Sequence, residues 1–213
     1  MSKKIGVVRF PGSNCDQDVF HFVQAKGFVA EYLWHLDHFE IKNYESLILP
    51  GGFSYGDYLR SGALSARSPV MTSVREFAKN GSPILGICNG FQILAESNLV
   101  PGALVRNAGL RFIDDWVQLD LVNSSSYWAS GVGQKSIRLP IAHGDGRFYT
   151  TTDELKLIED QNQIWFRYKA NPNGSLADIA GVMNKNKNVV GLMPHPERAI
   201  YDWMGSQDGW GFL

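Results

Sequence analysis

The chain has 213 residues, 44% of them hydrophobic and 12% aromatic, enough to bury a full core as a single domain over 1–213. Its formal net charge of −1 gives no basic field for nucleic acid and no polybasic patch for a membrane, so a small neutral or zwitterionic substrate is expected. No segment approaches a membrane span, and two cysteines are too few for a disulfide framework, which makes a reducing cytoplasm the expected compartment.

Met1-Ser2-Lys3-Lys4 runs directly into Ile5-Gly6-Val7-Val8, which leaves no apolar stretch long enough for a signal peptide and predicts a strand over 3–10. A helix is expected near 14–26, with Cys15 in a structural role after the first strand. Strands follow at 29–34 and 46–49. The second of these ends in Pro50-Gly51-Gly52-Phe53-Ser54, where the absence of Cβ lets the backbone N–H groups of Gly52 and Phe53 come close to a ligand. A simple glycine turn is the plainer reading. The helix near 69–79 sets Val70, Val74, Phe77 and Ala78 on one stripe, the spacing that covers a sheet.

Pro83-Ile84-Leu85-Gly86-Ile87 then reads as a short buried strand and 89–97 as a helix with Phe91, Leu94 and Ala95 on one face. Cys88 sits between them, flanked two residues away on either side by Gly86 and Gly90, in the pattern of a nucleophile elbow. Unpaired N–H groups at the helix start favour a thiolate there, whereas an inert buried thiol is the alternative. After Pro101 the texture turns strand-rich, with runs at 116–122, 137–141 and 163–168 and a short helix at 153–159. Ile179-Ala180-Gly181-Val182-Met183 and Val189-Val190-Gly191-Leu192-Met193 flank a polar turn and predict a hairpin. The expected fold is α/β, an open and mostly parallel sheet flanked by helices with an antiparallel excursion, and ligands belong at the carboxyl ends of its strands.

A catalytic thiol needs a base, and of the five histidines His195 stands directly after the last buried strand, in Pro194-His195-Pro196-Glu197. Residues i and i+2 of an extended segment share a face, and Pro196 disfavours helix at His195, so Glu197 can hold one ring nitrogen while the other faces the sulfur. The three residues form a Cys-His-Glu triad of nucleophile, proton shuttle and orienter.

With these residues assembled, Pro50-Gly51-Gly52, Gly86-Ile87-Cys88-Asn89-Gly90-Phe91-Gln92 and His195-Pro196-Glu197 resemble the triad-type (class I) glutamine amidotransferases, whose fold is flavodoxin-like. Four further blocks, 9–16, 52–57, 142–148 and 209–212, resemble the glutaminase subunits of phosphoribosylformylglycinamidine synthases, and the likeness spans essentially the whole chain. The resemblance implies that Cys88, His195 and Glu197 are catalytic, that Gly52, Phe53 and Asn89 form the oxyanion hole, and that Gln92, with His143 and Gly144 more weakly, contacts the substrate glutamine. Arg9, Asn14 and Asp16 look like groups for a partner interface or local hydrogen bonding. The resemblance further implies a large synthetase subunit that uses ATP, with Mg, on formylglycinamide ribonucleotide, and a small bridging subunit. No cofactor is expected on this chain, because it lacks a phosphate-binding glycine loop of either common type.

Two rival readings are a stand-alone cysteine hydrolase of related fold and a non-catalytic scaffold subunit. A metal site on Cys88, His143 and His195, with His35 or His38, is disfavoured because no pair of soft ligands has zinc-like spacing on one element, so no metal is expected. His35 and His38 read as solvated loop residues.

Overall fold

β-Branched and leucine-rich runs set the centre of the molecule, whose computed structural model describes residues 4–213. The first half alternates strands and helices: β1 (Lys4–Arg9), α1 (Asp16–Ala25), β2 (Val29–Trp34), β3 (Ser46–Leu49), α2 (Val70–Lys79), β4 (Ile84–Ile87) and α3 (Asn89–Glu96). The second half is strand-rich: β5 (Ala103–Val105), β6 (Ile113–Leu121), β7 (Ser136–His143), β8 (Arg147–Tyr149), α4 (Thr152–Asp160), β9 (Ile164–Tyr168), β10 (Ile179–Met183) and β11 (Val189–Leu192). One sheet runs in the order β2-β1-β3-β4-β11-β10-β9-β6-β7, and β5 pairs with β8 in a separate small ladder.

The strands from β2 to β11 are mutually parallel, as expected for strands joined by crossover helices. Beyond β11 the same sheet continues through antiparallel pairings to β7, so the excursion is an extension of the main sheet. The predicted hairpin forms between β10 and β11, and β11 returns to lie parallel to β4 with Gly191 opposite Gly86. That return carries the chain after Leu192 to the same end of the sheet as Cys88. The α2 stripe of Val70, Val74, Phe77 and Ala78 is buried, as its spacing requires.

Several boundaries differ for identifiable reasons. The expected beginning of the first strand, at residue 3, lies outside the described residues. The first helix begins at Asp16 and not near 14, because the Asn14 and Asp16 amides close turns on Gly12 and Ser13 while the Cys15 amide bonds to Gly51. The strand placed at 116–122 spans 113–121 instead, extended by its full antiparallel ladder with β7. β5 and β8 are three residues each, too short for a period-2 pattern to show. His35 is a correction: it is buried, and its Nδ1 lies 2.6 Å from the Tyr55 hydroxyl, because the Tyr55 loop folds over it. His38 is exposed, as expected. No helix among the described residues is long and apolar enough to cross a membrane.

Candidate active site

Cys88 joins β4 to α3 with φ 50° and ψ −105°, a strained conformation for a residue bearing a side chain. Its amide donates to the Leu192 carbonyl (2.7 Å), which locks the turn onto the end of β11. The flanking glycines are sterically required: a methyl on Gly90 would overlap the Leu49 carbonyl oxygen, and one on Gly86 would lie 2.7 Å from the Gly90 backbone. The sulfur lies 3.8 Å from the Ala142 carbonyl oxygen, at the end of β7.

His195 reaches this thiol from β11. Its Nδ1–H donates to Glu197 Oε1 (2.6 Å), and both side chains are almost wholly buried. Gly51 marks where Cys88 and His195 converge, because a methyl there would sit 2.7 Å from His195 Cε1 and 3.4 Å from Cys88 Cβ. His195 Nε2 is buried without a partner. Burial would keep this imidazole neutral, but the Glu197 carboxylate on one side and the Cys88 sulfur on the other outweigh it and raise its pKa to about 10.

Of the expected oxyanion donors, one is a correction: the Phe53 amide donates to the Gly12 carbonyl (2.9 Å), because the 10–14 turn packs against the glycine pair and uses that donor. The Gly52 and Asn89 amides make no hydrogen bond among the described residues. Asn89 is the first residue of α3, where an unpaired N–H is intrinsic to the helix end. Its side chain accepts from the Ser54 amide (3.2 Å) and donates to Gln92 Oε1 (2.9 Å), tying the glycine loop to the helix.

A cavity of about 290 Å³ opens beside the sulfur, lined among others by Gly52, Gln92, His143 and Gly144. Gln92 Nε2 donates to the Asp145 carbonyl (2.7 Å), so both ends of its amide are held. His143 is buried, and Asn107 decides its tautomer. The Asn107 amide nitrogen donates to the Arg111 and His143 carbonyls (2.9 Å each), which leaves its oxygen to accept from the Gly146 amide and from His143 Nδ1 (3.1 Å each). His143 Nε2 is therefore a bare acceptor, buried and unpartnered. Burial, reinforced by the nearby His195, lowers its pKa to about 4, so the ring is neutral at physiological pH.

Cys15 is also here. Its sulfur lies within 4.8 Å of donor atoms of His195 and Glu197, a spacing that a soft metal could bridge. Burial, followed by the Glu197 charge, pushes its thiol well above the ordinary range, however, and the imidazole nitrogen facing Glu197 is already hydrogen-bonded. Arg9 pairs with Asp16 (2.6 Å) across the first turn, a local contact. Sequence reasoning missed Asp57, Ser61 and Arg106, which line the cavity, and Asn107, which orients His143. Asp57 and the cavity-lining Asp145 do fall within the 52–57 and 142–148 blocks, whereas nothing local marks Arg106 or Asn107.

Residues 2–210 match the CobB/CobQ-like glutamine amidotransferase domain. The chain is similar to the structure of PurLQS from Thermotoga maritima, with 43% identity over 100% of this chain and 96% of that one and a TM-score of 0.90. A glutamine amidotransferase from the same organism shares the fold at 19% identity, over 93% of this chain and 78% of that one, with a TM-score of 0.64.

Proposed function

This chain belongs to the CobB/CobQ-like glutamine amidotransferases, and from that membership and its triad we infer that it is the glutaminase subunit of a phosphoribosylformylglycinamidine synthase. It hydrolyses glutamine to glutamate and ammonia and works with a synthetase that consumes the ammonia. The observation that carries the reading is the buried His195–Glu197 pair, 2.6 Å apart, converging with Cys88 at Gly51.

The Cys88 thiolate attacks the carboxamide carbon of glutamine, and the electron pair displaced onto oxygen is received by the Gly52 and Asn89 amides. His195 gives its Nε2 proton to the departing nitrogen, the C–N bond breaks, and a γ-glutamyl thioester remains. Water, deprotonated by His195, then attacks the thioester, and glutamate and the thiolate are released. Glu197 orients the imidazole. Gln92, His143 and Gly144 line the substrate side, and the bare acceptor of His143 suits an N–H of the carboxamide.

Ammonia set free in neutral water becomes ammonium, which has no lone pair for attack, so the partner has to receive it directly. The partners in this reading are a large subunit that uses ATP and Mg to convert formylglycinamide ribonucleotide to formylglycinamidine ribonucleotide in purine synthesis, and a small bridging subunit. The chain itself acts as one domain without a cofactor, and its free thiols Cys15 and Cys88 support a reducing cytoplasm. The intact triad speaks against a pure scaffold, and the 43% identity to PurLQS over the full chain speaks against a stand-alone cysteine hydrolase of related fold.

The test is product formation by the reconstituted complex with wild type and Cys88→Ser. Glutamine-dependent synthesis should vanish in the variant while added ammonia restores it. Retained glutamine-dependent synthesis would overturn the reading.

A further inference from the structure

Of the two amides left free for the oxyanion, that of Asn89 is fixed by its helix, whereas that of Gly52 lies on a loop between β3 and residue 54 with no regular structure of its own. The residues that follow Gly52 are held from both sides. The Phe53 amide donates to the Gly12 carbonyl (2.9 Å) and the Tyr55 amide to the Pro11 carbonyl (2.7 Å), so the segment runs along the 10–14 turn like a short ladder, while the Ser54 amide donates to Asn89 Oδ1 (3.2 Å). The two strips of backbone touch: a methyl on Gly12 would overlap the Phe53 carbonyl oxygen, and one on Gly52 would lie 2.6 Å from the Gly12 carbonyl oxygen. Packing this close leaves no slack, so a shift of the segment along the turn carries the Gly52 amide with it.

Tyr55 closes this ladder in left-handed backbone, with φ 53° and ψ 27°. That conformation costs energy in a residue with a side chain and persists where the surroundings over-determine it. Here the surroundings are two buried groups. The Tyr55 hydroxyl lies 2.6 Å from His35 Nδ1 and 3.1 Å from Ser68 Oγ, and its ring stands edge-on to the imidazole, with centres 5.5 Å apart at 89°. His35 is itself fixed to two elements, because its amide donates to the Arg9 carbonyl at the end of β1 (3.0 Å) and its carbonyl accepts from the Val70 amide at the start of α2 (3.1 Å). None of His35, Tyr55 and Ser68 lines the cavity beside the sulfur.

We propose that Tyr55 is a positioning residue for amide cleavage: its hydroxyl, anchored by His35 and Ser68, holds the 53–55 segment in register on the 10–14 turn and thereby fixes the Gly52 amide where charge develops on the carboxamide oxygen. The assignment rests on the glutaminase reading and names a determinant of that same site. An oxyanion donor acts when the carbonyl oxygen gains charge, so displacing it lowers kcat and leaves KM nearly unchanged.

The experiment uses the complex reconstituted with its synthetase and compares wild type with Tyr55→Phe, which removes one oxygen and keeps the ring. Outright removal of an oxyanion donor costs about 10²–10³ in rate, so loosening one should lower kcat for glutamine about tenfold, with KM within about twofold of wild type. Alkylation of Cys88 by iodoacetamide, followed at that residue by mass spectrometry, should keep its wild-type rate, because this displacement places no charge on a carbonyl oxygen. Tyr58→Phe, the same change at a side chain 74% exposed on the same loop, should leave kcat, KM and alkylation unchanged. His35→Ala should reproduce the Tyr55→Phe loss and His35→Asn, whose amide reaches the place of Nδ1, should recover most of it. The double variant Tyr55→Phe with His35→Ala should be no slower than either alone. Ammonia-dependent synthesis verifies assembly, and Tyr55→Phe decides by itself where His35→Ala does not assemble. An unchanged kcat in Tyr55→Phe overturns the proposal, and so does a loss expressed in KM or shared by alkylation, which places the fault in binding or in the nucleophile. Failure of the underlying reading has a different signature, the absence of glutamine hydrolysis by wild type.

Discussion

At His195 two opposed effects meet: burial, which alone would favour the neutral ring, and two neighbours, Glu197 and the Cys88 sulfur, which favour the charged one. The neighbours win, and the pKa is raised to about 10. The stability this contributes is therefore fully present below the ordinary histidine range, near pH 6.5, and is lost as pH rises through about 10. Activity that needs the Nε2 proton should follow the same upper limit. Glu197→Gln keeps the size and a hydrogen-bond acceptor but removes a charge, so the alkaline limb of kcat/KM for glutamine should move to lower pH, and kcat should fall. A pH profile with the limb unmoved would show that Glu197 holds the ring by geometry alone. The convergence of Cys88, His195 and Glu197 was legible in sequence because the three residues lie in short fixed-spacing motifs. The engagement of the Phe53 amide by Gly12 was not, since a hydrogen bond between two loops leaves no local mark.

At the scale of elements, the β4-Cys88-α3 elbow depends on how closely α3 approaches β3. Gly90 has no room for a methyl against the Leu49 carbonyl, whereas a methyl on Gly109 would meet nothing within 4 Å. Gly90→Ala should cost about 1–3 kcal/mol in chemical denaturation and abolish glutaminase activity, because relieving the overlap shifts the first turn of α3 and with it Cys88 and the Asn89 amide. Gly109→Ala should leave both near wild type. Equal effects of the two substitutions would refute the steric account of the elbow. Strands 29–34 and 46–49 matched their expected limits, because apolar runs bounded by turn residues read clearly. The three-residue strands β5 and β8 exist through their mutual pairing, which no single segment encodes.

At the scale of the whole molecule, the end of the chain closes over the antiparallel part of the sheet. Phe212 is fully buried, with its ring centre 5.6 Å from that of Trp165 and 5.7 Å from that of Phe166, both on β9. Phe212→Ala should lower stability by about 3–5 kcal/mol, read as a drop in the urea midpoint, while Trp203→Ala, at a side chain 78% exposed, should change it by no more than about 0.5 kcal/mol. A Phe212 variant as stable as wild type would mean that this closure contributes nothing to the fold. The alternation of strands and helices, the glycine-flanked thiol and the His-Pro-Glu segment were set by sequence alone, because each depends on spacing within a few residues. Which groups share the cavity was decided only by the tertiary structure. The parallel return of β11 beside β4 brings residue 195 to residue 88, and the β7 end brings Asp145 toward Asp57, across separations in the chain that no periodicity can record.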